Sequence, residues 1–215
     1  DLEVHKLILY HILLHQQQLQ KLVRILLLLF FLWEGKKLLR IDGHSAGVKV
    51  VKNITRLCGE LNVKKLTLYT FSSENWKRPK IEIIGLMTLL SKTIQKEITN
   101  LNNSNVYFTI MGDLSKIPKH VRQMLEEAVE LTSNNNGLNL NLAVNYGGRQ
   151  EIASVCREIA LEVKNQKITI DDISETYINS KLLVDRYSEP DLLIRTGGEF
   201  RISNFMLWQI AYSEI

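Results

Sequence analysis

Two apolar spacings alternate along the chain from Ile41 onward, one of three to four residues and one of two, and they predict helices and strands in turn. After Asp42-Gly43-His44-Ser45, apolar positions at Val51, Ile54, Cys58 and Leu61 predict an amphipathic helix. Lys64 to Phe71 is rich in β-formers and predicts a strand. The loop Ser72 to Lys80, with Pro79, leads into a second amphipathic helix from about Glu82 to Leu101. Val106 to Met111 alternates with the period of a strand and closes at Gly112-Asp113. Pro118 suits a first helical turn, and the helix it starts carries Val121, Leu125 and Val129 and ends at Asn134-Asn135-Asn136-Gly137. Leu138 to Asn145 predicts a strand that runs into Tyr146-Gly147-Gly148-Arg149 and then a helix from Gln150 to Val163. Thr169 and Asp172 have the spacing of a capping box for a last short helix. A final apolar run, Leu192 to Ile194, stops at Arg195, passes through Thr196-Gly197-Gly198 and Arg201, and enters a helix-like pattern at Ser203.

Strands alternating with helices predict an α/β fold, a single domain over residues 1–215 with a mainly parallel central sheet flanked by helices. In such sheets ligands sit beyond the carboxyl ends of the strands. Residues 1–39 are atypical: Gln16, Gln17, Gln18 and Gln20 precede a Leu-rich run ending at Trp33, a composition that fits a helix followed by a buried strand.

Composition narrows the classes. With 215 residues, 45% of them hydrophobic, the chain has material for one large core. The formal charge of +4 is spread among acidic residues rather than gathered into a basic face, so no nucleic acid partner is expected, while an anionic small molecule is. Cys58 and Cys156 both fall in helix-like patterns and are expected to be reduced core residues of a cytoplasmic protein. The longest apolar run, Ile25 to Trp33, is bracketed by Arg24 and Glu34 and is far shorter than the roughly 20 residues of a membrane helix. No basic region with a small-residue cleavage site precedes it, so a soluble chain is expected, with contact at a membrane surface still open.

Polar clusters stand at the ends of four expected strands. Arg40 and His44 precede the first clear helix; Ser72, Ser73, Glu74, Asn75, Trp76, Lys77 and Arg78 follow Phe71; Gly147, Gly148 and Arg149 follow the Asn145 strand; Arg195 and Arg201 follow Ile194. Each has an ordinary reading, as turn formers, a helix-start histidine, glycines easing a helix entry, or solvated arginines. In a parallel sheet all four would share one edge. A charge-assisted hydrogen bond contributes roughly 1.5–3 kcal/mol, against about 0–1 for a solvated pair, so several arginines on one dry edge suit a multiply charged group such as a diphosphate. Glu214 near such a group would need a divalent cation between them, and magnesium prefers that company.

Three long motifs carry a family resemblance: Leu68-Tyr69-Thr70-Phe71-Ser72-Ser73-Glu74-Asn75-Trp76-Lys77-Arg78-Pro79, Asn145-Tyr146-Gly147-Gly148-Arg149, and Asp191 through Glu214. From about Arg40 to its end the chain resembles the cis-prenyltransferases, and among them the undecaprenyl diphosphate synthase branch. The resemblance implies that fold and a homodimer at the cytoplasmic face of a membrane, reached through its lipid product. It implies a magnesium (Mg2+) dependent enzyme that adds isopentenyl diphosphate to farnesyl diphosphate to make a long Z-polyprenyl diphosphate. By position it implies that Arg195, Arg201 and Ser203, with Ile202 between them, hold isopentenyl diphosphate. Arg40 and His44 would serve the allylic diphosphate, and Ser72, Ser73, Glu74, Trp76 and Arg78 a mobile loop. Asn75 would stand where the family places proton removal, although positioning is the safer role for an amide, and Glu214 would be the metal carboxylate. The helices Val48 to Leu61 and Ile84 to Leu101 would wall a tunnel for the growing chain.

The resemblance departs at the amino-terminal side. The family's Asp-Gly-Asn-Gly-Arg-Trp stretch, whose aspartate binds magnesium, aligns without gaps on a Leu-rich run with Leu27 at the aspartate position. Two readings follow: an active prenyltransferase, or a non-catalytic subunit of this fold that dimerises with an active partner. A general phosphate-binding module is more distant, because it leaves the Asn75-Trp76 loop unexplained.

Overall fold

In a computed structural model of the chain, residues 24–28, 40–183, 189–195 and 200–215 are described, with 24–28, 40–47 and 49 described by backbone alone. The strands β1 (Arg24–Leu28), β2 (Lys65–Ser72), β3 (Tyr107–Met111), β4 (Asn139–Tyr146) and β5 (Leu192–Arg195) form one sheet in the order β3-β4-β2-β1-β5. Every pairing is parallel. The apolar run near the amino terminus thus supplies a strand between β2 and β5, in register Leu27 with Leu68 and Leu28 with Arg195. A helix within residues 1–23 lies outside the described residues.

Between the strands run α1 (Arg40–Glu60), α2 (Lys80–Asn103), α3 (Lys119–Leu131), α4 (Gly148–Lys164) and the short α5 (Glu175–Lys181). Pro79 and Pro118 stand just outside α2 and α3, where a missing N–H costs nothing. The Thr169–Asp172 box forms, with Asp172 Oδ2 accepting from Thr169 N at 2.7 Å, but it closes a 3-10 turn; Ser174 caps α5 instead. No described helix is long and apolar enough to cross a membrane.

Strand alternation sorts the core. Leu66, Leu68, Phe108, Leu140 and Leu142 join Ile54 and Cys58 of α1, Met87 and Ile94 of α2, and Val121 and Leu125 of α3 in the main cluster. Phe71 joins them at an odd spacing from Leu68 because a register shift between Tyr69 and Phe71 turns the strand. Tyr69, Met111, Ala143, Tyr146 and Leu193 form a second cluster closed by Phe205, Met206 and Ile210. Cys58 is buried as expected, whereas Cys156 lies on the exposed face of α4.

After Arg201 the expected helix does not form: residues 203–212 make successive turns. Ser203, Asn204 and Met206 have φ of 50°, 62° and 45°, left-handed values that cannot propagate an α-helix. Burial of Phe205 and Met206 against Tyr69 and Tyr146 fixes this path, with the Tyr69 and Phe205 rings stacked at 4.1 Å.

Candidate functional site

Because the sheet is all parallel, the carboxyl ends of β2, β4 and β5 open on one edge, as the sequence pattern requires. The chain leaves β1 for β2 on one side and returns for β5 on the other, so Arg195 stands beside the point where strand order reverses. Its guanidinium donates from Nη1 to the carbonyl of Arg201 and to Ser203 Oγ at 2.8 Å. That fixes the turn 201–203 over the end of β5. Arg201 is exposed, while Ile202 packs into the second cluster and anchors the segment by its side chain. Thr196 to Glu199 lie outside the described residues. The helix N-terminus expected at Ser203 as part of an anion site is therefore absent.

The Ser73–Lys77 3-10 turn follows β2 directly. Asn75 Oδ1 accepts from Ser72 N at 3.0 Å and so closes its own turn, which suits an amide that positions rather than one that takes a proton. The Trp76 indole donates to Asn145 Oδ1 at 2.7 Å and meets the Phe71 ring edge-on at 5.1 Å, tying the turn to the end of β4. Arg78 pairs with Glu82 at 2.7 Å along the start of α2. Glu74 accepts from Asn204 Nδ2 at 2.6 Å and from Ser73 Oγ at 3.2 Å. Desolvation alone would raise its pKa, yet the hydrogen bonds to its carboxylate outweigh that and hold it below the ordinary value. Arg40 and His44 fall in the first turns of α1; their side chains lie outside the described residues.

Gly147 has an ordinary extended φ, and its lack of a side chain matters for space. A Cβ there would come within 2.5 Å of Gln150 Oε1, 2.6 Å of Ser73 Oγ and 2.8 Å of Asn204 Nδ2. The three loops close on one another over that bare backbone.

Sequence reasoning missed a buried polar node behind this edge. The Glu151 carboxyl, 5% exposed, accepts from Tyr146 Oη at 2.6 Å, Gln209 Nε2 at 3.0 Å and the backbone N of Leu183 at 2.9 Å. Burial, with the Glu151 charge second, pushes the Tyr146 phenol far above its ordinary pKa. Tyr146 also receives Tyr69 Oη on its carbonyl at 3.0 Å. Nothing in the sequence marks Glu151, since a glutamate in a first helical turn is an unremarked helix former.

Beneath the edge, between the sheet and the helices α1 and α2, lies a cavity of about 610 Å³. Its walls run from Tyr69, Thr70 and Phe71 of β2 down past Met87, Leu90 and Ile94 to Leu101 and Val106, and Val48, Val51 and Thr55 face them from α1. Lys52 and Glu97 pair across α1 and α2 at 2.9 Å and hold the carboxyl of Glu97 below its ordinary value, with desolvation opposing.

Magnesium is ordinarily held by one or two carboxylates together with substrate phosphates and water, and Glu214 is the described carboxylate expected to hold it. No group of three histidine, cysteine, aspartate or glutamate side chains gathers among the described residues. Glu214 is exposed, and its backbone extends the sheet beside the start of β5, accepting from Leu193 N at 2.7 Å and donating to Asp191 O at 3.1 Å. β1 contributes leucine at position 27.

An all-parallel α/β sheet with a polar, arginine-bearing edge above a long apolar cavity defines a class of enzyme that handles a charged head group joined to an apolar chain. The family described as putative undecaprenyl diphosphate synthase matches residues 33–215, and the chain belongs to that family of prenyl transferases. It is 48% identical over 183 residues to the isoprenyl transferase of Bacillus subtilis (strain 168), covering 85% of this chain and 70% of the relative. It is 46% identical over 181 residues to the isoprenyl transferase of Prochlorococcus marinus, covering 84% and 68%. Among solved structures, lavandulyl diphosphate synthase from Lavandula x intermedia, in complex with dimethylallyl diphosphate, superposes with a TM-score of 0.85 at 31% identity, over 89% of this chain and 84% of that one. A probable undecaprenyl diphosphate synthase from Campylobacter jejuni gives 0.73 at 30% identity, over 92% and 85%.

Proposed function

We propose that this chain, as one domain, condenses isopentenyl diphosphate with farnesyl diphosphate to give a long Z-polyprenyl diphosphate, of undecaprenyl type, for lipid-carrier synthesis in cell-wall assembly. The observation that carries the reading is the apolar cavity of about 610 Å³ whose wall includes Tyr69, Thr70 and Phe71, the residues that lead directly into the Ser72–Arg78 loop. Its size falls within the roughly 300–1,000 Å³ of small-molecule sites. Arg195, Arg201 and Ser203, with Ile202 as their anchor, bind the diphosphate of isopentenyl diphosphate. Arg40 and His44 serve the allylic diphosphate, whose C–O bond breaks as the new C–C bond forms. Ser72, Ser73, Glu74, Trp76 and Arg78 form the loop over the reacting carbons, and Asn75 positions the group that loses a proton. Electrostatic stabilisation of the departing allylic diphosphate by Arg40 and His44 is the main catalytic term. Glu214 would hold magnesium, which when bound would supply further positive charge for the diphosphates. The chain works as a homodimer, touching the inner face of the membrane through its product.

The leucine at position 27 favours one competitor, a non-catalytic subunit that pairs with an active chain. Incubation with farnesyl diphosphate, labelled isopentenyl diphosphate and magnesium separates the two: labelled long-chain product supports the enzyme, and retained binding without product supports the subunit. Under either reading Arg201→Ala weakens isopentenyl diphosphate at least tenfold, about 1.4 kcal/mol. An unchanged dissociation constant sinks the assignment of that arginine.

A further inference from the structure

Asn204 joins three loops with one side chain. Its Oδ1 accepts from Arg149 N at 2.8 Å and its carbonyl from Gly148 N at 2.7 Å, both in the first turn of α4. The N-cap of α4 is Gly147, which has no side chain to cap with, so Asn204 supplies the capping oxygen from a distant part of the chain. The remaining amide group, Nδ2, reaches the other way and donates to Glu74 Oε1 at 2.6 Å. Glu74 belongs to the 3-10 turn that carries Asn75 and Trp76. On its own segment Asn204 directly follows Ser203, which Arg195 holds. Its φ of 62° is a value that asparagine and aspartate tolerate better than other side chains, so the hub stands where only a few residue types fit.

We propose that Asn204 is a positioning residue, a latch that holds the Ser73–Lys77 turn closed only while the Arg201–Ser203 segment is in its diphosphate-binding path. The inference rests on the function proposed above. A diphosphate bound by Arg195, Arg201 and Ser203 fixes the residue next to Ser203, and through Nδ2 that order passes to Glu74 and to the turn bearing Asn75. Linkage makes the effect reciprocal: a closed turn tightens the diphosphate segment by the same factor. The apolar cavity has no part in the latch, so it acts on the incoming unit and not on the length of the product.

Asn204→Asp tests this with the backbone preserved, since aspartate accepts from Arg149 N as asparagine does but turns a second carboxylate toward Glu74. The expected result is amide exchange at residues 73–77 that is faster in the variant, and a kcat/KM for isopentenyl diphosphate lower by about five- to thirtyfold. Combining it with Glu74→Gln reverses the polarity of the bond, the glutamine amide donating to the new carboxylate, and restores amide exchange at residues 73–77 to within about threefold of the parent. A merely structural asparagine would not be rescued this way. Exchange that is unchanged in Asn204→Asp, or a double variant no better than Asn204→Asp, overturns the latch whatever the catalytic result. Exchange that follows the prediction in a parent chain that fails to bind isopentenyl diphosphate overturns instead the functional reading and the coupling built on it.

Discussion

Glu151→Ala removes the acceptor shared by Tyr146 Oη, Gln209 Nε2 and Leu183 N, at a position only 5% exposed. Each buried donor left without a partner costs about 1–3 kcal/mol, and a hydrogen bond to a charged acceptor contributes about 1.5–3. Three losses would sum to more than the protein would show, because the space left by the side chain admits water to the polar atoms. About 3–5 kcal/mol is therefore expected, in line with breaking a buried charged contact. For a chain of this length that lowers Tm by roughly 6–20 °C. The damage should also spread to the site. Tyr146 packs edge-on against Phe205 at 5.8 Å, and Phe205 follows Asn204 directly, so loosening the phenol should loosen the diphosphate segment. Thermal melting by circular dichroism and isopentenyl diphosphate titration by calorimetry, performed on the same preparation, measure the two effects. Glu151→Gln keeps one acceptor oxygen and should lose about half as much stability. A Tm within 2 °C of the parent for Glu151→Ala would refute the idea that this node holds the β4 end, α4 and the segment after Arg201 together.

Two further predictions use groups other than the proposed diphosphate ligands. Gly112 has φ of +117° and a Cβ built there would lie 2.1 Å from the carbonyl oxygen of Val144, so Gly112→Ala must displace backbone and should cost about 2–4 kcal/mol, read as a lower urea midpoint; an unchanged midpoint would contradict it. Burial pushes the Cys58 thiol from 9.0 up to about 12, and the Tyr69 and Tyr146 phenols also rise, chiefly through burial. The folded chain therefore holds these protons more tightly than the unfolded one. Their stabilisation is complete below pH 9 and is lost as pH rises toward 12, with about 2 kcal/mol gone at pH 10.5 from Cys58 alone. A urea midpoint that does not fall between pH 8.5 and 10.5 would refute this, and so would a native chain in which a thiol reagent labels Cys58 along with the exposed Cys156.

Strands and helices from β2 to α4 were legible in the sequence because their apolar spacing repeats over whole elements, and the parallel edge followed from strand–helix alternation alone. Ser72–Arg78, Arg195, Arg201 and Ser203 were legible as polar clusters placed at strand ends. Glu151, Asn204 and Gln209 were not, since each is ordinary among its sequence neighbours and gains meaning only from partners 5 to 130 residues away. The helix expected at Ser203 failed for a related reason. Its apolar positions Phe205, Met206 and Ile210 do point inward, but they meet the aromatic floor of Tyr69 and Tyr146 one after another through left-handed turns. Burial of those rings outweighs the local preference for helical backbone.

By itself, then, the sequence determined which segments from β2 to α4 are strands or helices, that they alternate, and that arginines and amides stand where parallel strands end, because periodicity and turn chemistry are local properties. Only the tertiary structure decided strand order, the cavity between α1, α2 and the sheet, and the hydrogen bonds that draw Glu74, Gly148, Arg149 and Asn204 into one site. These depend on which distant surfaces can be buried together with every polar atom satisfied, and no local pattern in the chain contains that condition.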